Sequence, residues 1–263
     1  MRRTFARRTA VAATAASFAL LVGACGAEKS ESDAPAADKG KDGGSAAKAL
    51  SAAELDKLVL AAGDLKGEHK IAKATKVDQV AGKRATTDKA ECKPFVDVLA
   101  FRPMGAPGAS AQRKIVPVPA KPAKDATPEE KMKAGLKAFE MTITSDTIGS
   151  YDGKGAEEAL AALRSAGEDC AGGFVLSDGA DLKNKDNTKF TKVAAGPAYT
   201  GGDESATFTL SFAMEGESGK QTGSHQVVAV RKGNTLAAFG VLGLTGTAEF
   251  PKAIIDAQVA KLG

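Results

Sequence analysis

The sequence predicts an α+β fold: a single domain in which a mainly antiparallel sheet is covered by helices on one face. Three observations carry this. Strand patterns cluster late in the chain and follow one another through short turns, which favours antiparallel pairing. Helical patterns open the domain, recur near 88–100 and 155–167, and close it after a meander of strands, which gathers the helices against one face. The clearest strands alternate apolar and polar residues, the mark of a sheet with one covered face. From residue 50 to 263 the domain has about 210 residues, enough to bury a core without metal or several disulfides.

Its elements follow in order. Ser51-Ala52-Ala53-Glu54 is a capping-box pattern, and Leu55, Leu58, Val59 and Ala62 then share one helical face up to Gly63. Residues 69–81 read as extended. A short helix runs from about Asp88 to Ala100, with Cys92, Phe95, Val96 and Leu99 inward and Pro94 in its first turn. Residues 101–134 carry six prolines and read as a Pro-rich insertion, either a binding loop or a mobile surface loop. Within it, Ile115-Val116-Pro117-Val118 is strand-like, and its prolines suit an edge. Phe139, Met141 and Ile143 alternate as a half-buried strand. A helix covers roughly 155–167, with small residues on one side and Cys170 close behind. Residues 174–176 and 188–195 are short strands. Phe208, Leu210, Phe212 and Met214 mark the clearest one. Residues 215–223 read as a hairpin loop, and Gly233-Asn234 turns the strands 225–232 and 235–242. A last helix starts near Thr247 and carries Phe250, Ala253, Ile254, Ala257 and Leu262.

Before this domain the chain reads as an export and anchoring device. Arg2, Arg3, Arg7 and Arg8 precede an uncharged run from Thr9 to Ala24, and Leu21-Val22-Gly23-Ala24-Cys25 is a lipobox. Residues 1–24 are thus a signal peptide and Cys25 the lipidated residue. The run is too short and too rich in Ala, Ser and Thr for a spanning helix, which needs about 20 predominantly apolar residues. Arg2-Arg3-Thr4-Phe5 fits twin-arginine export as well as the ordinary route. Residues 25–49 follow as a tether, and after Cys25 they hold no Val, Ile, Leu, Met or aromatic residue to bury. A flexible tether of this length spans roughly 25–30 Å. Localisation is therefore the outer face of the cell membrane. A diacylated cysteine supplies the two acyl chains that stable attachment needs.

The formal charge of +4 belongs to the signal. Without its four arginines, 32 basic side chains face 32 acidic ones. This balance, with Lys and acids interspersed, argues against nucleic acid as a partner. With Cys25 lipidated, Cys92 and Cys170 remain, either as one disulfide or as two buried thiols; an exported chain favours the bridge.

No pattern of catalytic chemistry stands out. His69 and His225 have no His, Cys or acid at metal-ligand spacing, and both read as surface or rim residues. No Gly-x-Ser-x-Gly elbow is present. Gly216-Glu217-Ser218-Gly219-Lys220 fails the phosphate-loop spacing. No cofactor is implied. Asp203 and Glu204, leading into the best strand, and Arg231 are candidate binding residues; a charged turn is the alternative.

Several fold markers carry a resemblance: Leu50-Ser51-Ala52-Ala53-Glu54-Leu55, Cys92 with Pro94-Phe95, Cys170 with Gly172-Gly173-Phe174, Gly202 to Ser205, Val230 to Asn234, and Ile254 to Lys261. With them the domain resembles a family of actinobacterial cell-surface lipoproteins similar to the extracellular sensor domain of PknH-type serine/threonine kinases. The resemblance implies an α+β domain with a cleft for an extracellular ligand and no enzyme activity. The chain departs from those sensors in having at most one disulfide where they have two, and a lipid in place of kinase and spanning helix. No binding residue carries over.

The expected function is a non-catalytic, sensor-like domain that binds an extracellular ligand or a cell-envelope protein. One alternative is a carrier of a lipid or hydrophobic molecule, its cavity lined by Phe208, Phe212, Met214 and Phe239. Another is a cell-wall hydrolase using Asp203 and His225.

Overall fold

Val227 and Ala229 point to one side of their strand and Val228 and Val230 to the other, and all four are buried. The next strand repeats this, with Leu236 and Ala238 against Ala237 and Phe239. Strands buried on both sides need cover on both sides, and that requirement organises the molecule. The structure is a computed structural model and describes residues 47–66, 69–119, 121–139, 142–179, 181–182, 187–216, 219–243 and 246–263. These lie in one compact unit, Gly44–Gly263. The expected signal peptide, Cys25 and the expected tether up to residue 46 fall outside the described residues.

The strands are β1 (His69–Lys73), β2 (Thr86–Thr87), β3 (Ala109–Pro117), β4 (Thr142–Ser150), β5 (Phe174–Ser177), β6 (Thr188–Ala195), β7 (Glu204–Gly216), β8 (Gly219–Lys232) and β9 (Thr235–Gly243). They form one nine-stranded antiparallel sheet in the order β1-β3-β4-β9-β8-β7-β6-β5-β2. The helices are α1 (Ala52–Leu58), α2 (Lys76–Arg84), α3 (Lys93–Leu99, entered through a 3-10 turn at Ala90–Cys92), α4 (Pro128–Phe139), α5 (Gly155–Asp169) and α6 (Lys252–Lys261).

The α+β class with a mainly antiparallel sheet is as the sequence predicts; the helical cover is fuller. On one face α3 and α5 bury Phe95, Leu160 and Leu163 against Val227, Ala229, Leu210 and Ala238. On the other, α1 and α6 bury Leu55, Val59, Ile254 and Ile255 against Ile115, Val228, Val230 and Phe239. One covered face was expected because outer strands alternate apolar and polar residues. The central strands β8 and β9 carry small and apolar residues in succession instead.

Other expectations shift for local reasons. Residues 101–134 are not an insertion throughout. β3 lies inside the sheet between β1 and β4, and Pro117 is its last residue. The remaining prolines flank β3 or, as Pro128, open α4. Residues 76–81 are helical, because Thr75 and Asp78 form a capping box that starts α2. Phe139 ends α4, and the strand begins only at Thr142. The β7–β8 ladder extends to Gly216 opposite Gly219, where the sequence predicts a loop over 215–223. His225 therefore sits mid-strand and is buried, with its ring against Phe190 and Phe212.

The described chain is already held at Ala47, within the expected tether. Its carbonyl accepts from Gly153 N, Ala49 N donates to Asp152 Oδ1, and Lys48 O accepts from Asn234 Nδ2.

Candidate ligand cleft and charged cluster

Cys92 caps the start of α3 and Cys170 caps the end of α5. The two are joined by a disulfide, Cα–Cα 5.9 Å across a separation of 78 residues. This settles the choice between a bridge and two buried thiols. It also staples the two helices at one end, running antiparallel. Beside the staple they part around a cleft of about 580 Å³. Small residues open that space: Gly155, Ala159, Ala162 and Ala166 on α5 line it, with Met104 and Tyr151 among the other lining residues. Tyr151 is fixed from several directions. Its hydroxyl donates to Met104 O at 2.6 Å, and its ring packs so close to Gly149 and Gly155 that side chains there would crowd it. Burial pushes the Tyr151 hydroxyl above its ordinary range, with the Asp97 charge adding to the effect, so it stays a neutral donor.

The rim is acidic. Glu91, Glu158 and Asp169 line the cleft alongside a single cation, Lys93. Lys93 is already committed to Asp97 at 2.6 Å. Asp97 is buried and also meets Arg102 Nη2 at 2.7 Å. Two cations beside one buried carboxylate offset part of its desolvation cost, while Oδ1 meets Arg102 as an ion pair without a hydrogen bond.

The sequence-predicted candidates lie elsewhere and come together with one another. Glu204 stands opposite Arg231 in the β7–β8 ladder. Its Oε1 accepts from Arg231 Nη2 at 2.8 Å and its Oε2 from Arg164 Nη1, on α5, at 2.7 Å. Asp203 Oδ2 accepts from Gly233 N at 2.7 Å, with Arg231 Nη1 at 3.5 Å. The Gly233 N–H, then Lys232 and Arg231, hold the Asp203 carboxyl below its ordinary range; Arg164 and Arg231 do the same for Glu204. A ligand at this cluster therefore competes with ion pairs already made.

The constellations imagined for the two alternatives do not assemble. Asp203 neighbours Arg231, and His225 lies six residues along β8 from there, roughly 20 Å at strand rise. Phe208 and Phe212 belong to the α3–α5 side of the sheet and Phe239 to the opposite side, so they line no common cavity; the Met214 side chain lies outside the described ones. Among the described residues no group of three or more His, Cys, Asp or Glu could hold a metal ion, and no helix is long and apolar enough to cross a membrane.

No motif in the sequence marks Asp97, Arg102 or Tyr151. The run of small residues on α5 was visible, but nothing local tells a cleft wall from close helix packing.

Fold and cleft together define an α+β domain: an antiparallel nine-stranded sheet carrying a disulfide-stapled helix pair. No protein-family model matches the chain, and no curated protein matches it. Among solved structures it is similar to the extracellular domain of PknH from Mycobacterium tuberculosis, at 13% sequence identity and a TM-score of 0.40, over 82% of this chain and 95% of that one.

Proposed function

We propose that the protein is a lipid-anchored lipoprotein of the outer membrane face whose domain binds an extracellular ligand or a cell-envelope protein without catalysing a reaction. The α3–α5 cleft carries this reading. Its volume falls within the roughly 300–1,000 Å³ of small-molecule sites, small apolar residues of α5 form one wall, and Glu91, Glu158 and Asp169 are exposed beside it. The lipobox at Cys25 supports the anchor. The Cys92–Cys170 bridge supports an oxidising, extracytoplasmic location. Glu91, Glu158 and Asp169 favour a ligand or partner that pairs an apolar body with a cationic group.

The test is native mass spectrometry of the full chain purified from its host's cell envelope, with Ala162→Trp as the comparison. Ala162 is exposed on the cleft wall, so the larger ring fills the space without entering the core. A reproducible adduct that Ala162→Trp loses is the expected result. Ligand-free protein that also crosslinks to no envelope partner overturns the proposal.

A further inference from the structure

Next to the cleft, with Lys93 and Asp97 lining both, a second cavity of about 440 Å³ opens toward α2. Its charge balance is the reverse of the cleft's. Lys83, Lys93 and Arg102 line it, with Asp97 as the only acid among its lining residues. Asp97 neutralises one of the three cations. Lys83 makes no ion pair or hydrogen bond among the described residues. Arg102 is held rigidly: Nη1 donates to the carbonyls of Gly82 and Ala85 at 3.1 Å each, and Nη2 meets Asp97. Its Nε is buried with no partner. Such an orphan donor is costly unless a bound group satisfies it. The Gln112 amide also lines the cavity and makes no side-chain hydrogen bond among the described residues. Across the β3–β4 ladder from Gln112, Thr147 Oγ1 is likewise buried and unpartnered.

The backbone at this place is strained as well. Phe101 follows α3 with φ 56°, a left-handed conformation that favours glycine. Arg102 N holds the turn by donating to Asp97 O at 2.7 Å. Strain of this kind persists where surrounding contacts over-determine it and is concentrated at ligand clamps.

We infer that this cavity is a binding site for a small oxyanion, phosphate or carboxylate, held by Lys83 and Lys93 with the free donors of Arg102 and Gln112. An oxyanion accepts from several N–H groups at once and cancels the surplus positive charge, and charge-assisted bonds of this kind are the strong ones. The site goes beyond the cleft reading. It shares α3 with the cleft but takes a ligand of opposite charge.

The experiment is titration of the full chain with inorganic phosphate and, in a second arm, with acetate, in low-salt buffer. It is followed by calorimetry and by the Arg102 Nε–H resonance. Saturable binding with a shift of that resonance is expected. Lys83→Ala with Lys93→Ala weakens it by about tenfold or more. Gln112→Leu, which removes no internal bond, weakens it while leaving the melting temperature in place. Binding of phosphate alone marks a phosphoryl group as the source; equal binding of acetate marks a carboxylate. No saturable binding of either, or unchanged affinity in both variants, overturns the site.

Discussion

Asp146 is the residue whose chemistry departs furthest from the ordinary. It is fully buried in β4, and neither carboxylate oxygen has a hydrogen-bond partner. Arg113 stands opposite in the ladder but spends its donors elsewhere: Nε on Leu60 O, Nη1 on Gln112 O and Nη2 on Asp56. Burial therefore dominates over the attraction of Arg113 and Lys261 and pushes the Asp146 carboxyl up to about 8. The native state keeps this proton at neutral pH, whereas the unfolded chain loses it above about pH 4. Stability from this residue is thus full below pH 4 and lost as pH rises to about 8. Asp146→Asn removes the penalty. Its stability relative to the natural chain should grow between pH 4 and pH 7 by on the order of 4 kcal/mol, read by urea unfolding at both values. A gap that stays constant with pH would show that the native carboxyl is ionised.

Helices and strands show what was legible in the sequence and what was not. α1 and the α3 region were readable because a cap and an apolar face marked them together: Ser51 with Glu54, then Leu55; Pro94, then Phe95 and Leu99. α2 was hidden because Val77 and Val80 are exposed, so their spacing announces no buried face. The second half of β4 was hidden for the opposite reason: Ser145, Asp146, Thr147 and Ser150 are polar yet buried. The cleft depends on how two helices separated by more than fifty residues meet, which no local pattern encodes; only the cysteine pair hinted at it. α2 is seated by contact rather than apolar burial. Gly82 lies against Ala100 O so closely that a Cβ there would collide with backbone. Gly82→Ala should therefore destabilise despite the better helix propensity of alanine, and faster amide exchange in α2 would register it. At the α3–α5 pair, replacing Cys92 and Cys170 by alanine should cost about 2–4 kcal/mol. The Ala162-lined cleft should lose ligand affinity together with that stability, since the staple sets the helix separation. Unchanged affinity in the alanine pair would mean that packing alone holds the walls.

For the whole molecule, two buried groups on opposite faces of the sheet set the response to pH. His225 packs between Phe190 and Phe212, and burial lowers its imidazole to about 4, with a hydrogen bond at Ser224 opposing the shift. The native state holds it neutral, while the unfolded chain takes a proton below about pH 6.5. Its contribution is present above pH 6.5 and lost as pH falls toward 4. Between pH 4 and 6.5 the unfolded state thus gains a proton at His225 and lacks one at Asp146, relative to the native state, and the two slopes cancel. Above pH 6.5 only Asp146 still changes, so stability should fall until about pH 8. Below pH 4 the acids held low by their partners, Asp56 by Arg113 and Lys73, and Asp64 first by Lys261, begin to lose their favourable charge. The natural chain should therefore show a plateau from about pH 4 to 6.5 with a falling limb on each side. Each variant tilts that plateau in its own direction. Asp146→Asn should rise across it and level off at neutral pH, whereas His225→Gln should decline from pH 4 through pH 8. Melting temperatures of the three proteins at half-unit intervals would read the profile directly. A plateau that both variants leave flat would mean that neither buried group titrates differently on unfolding.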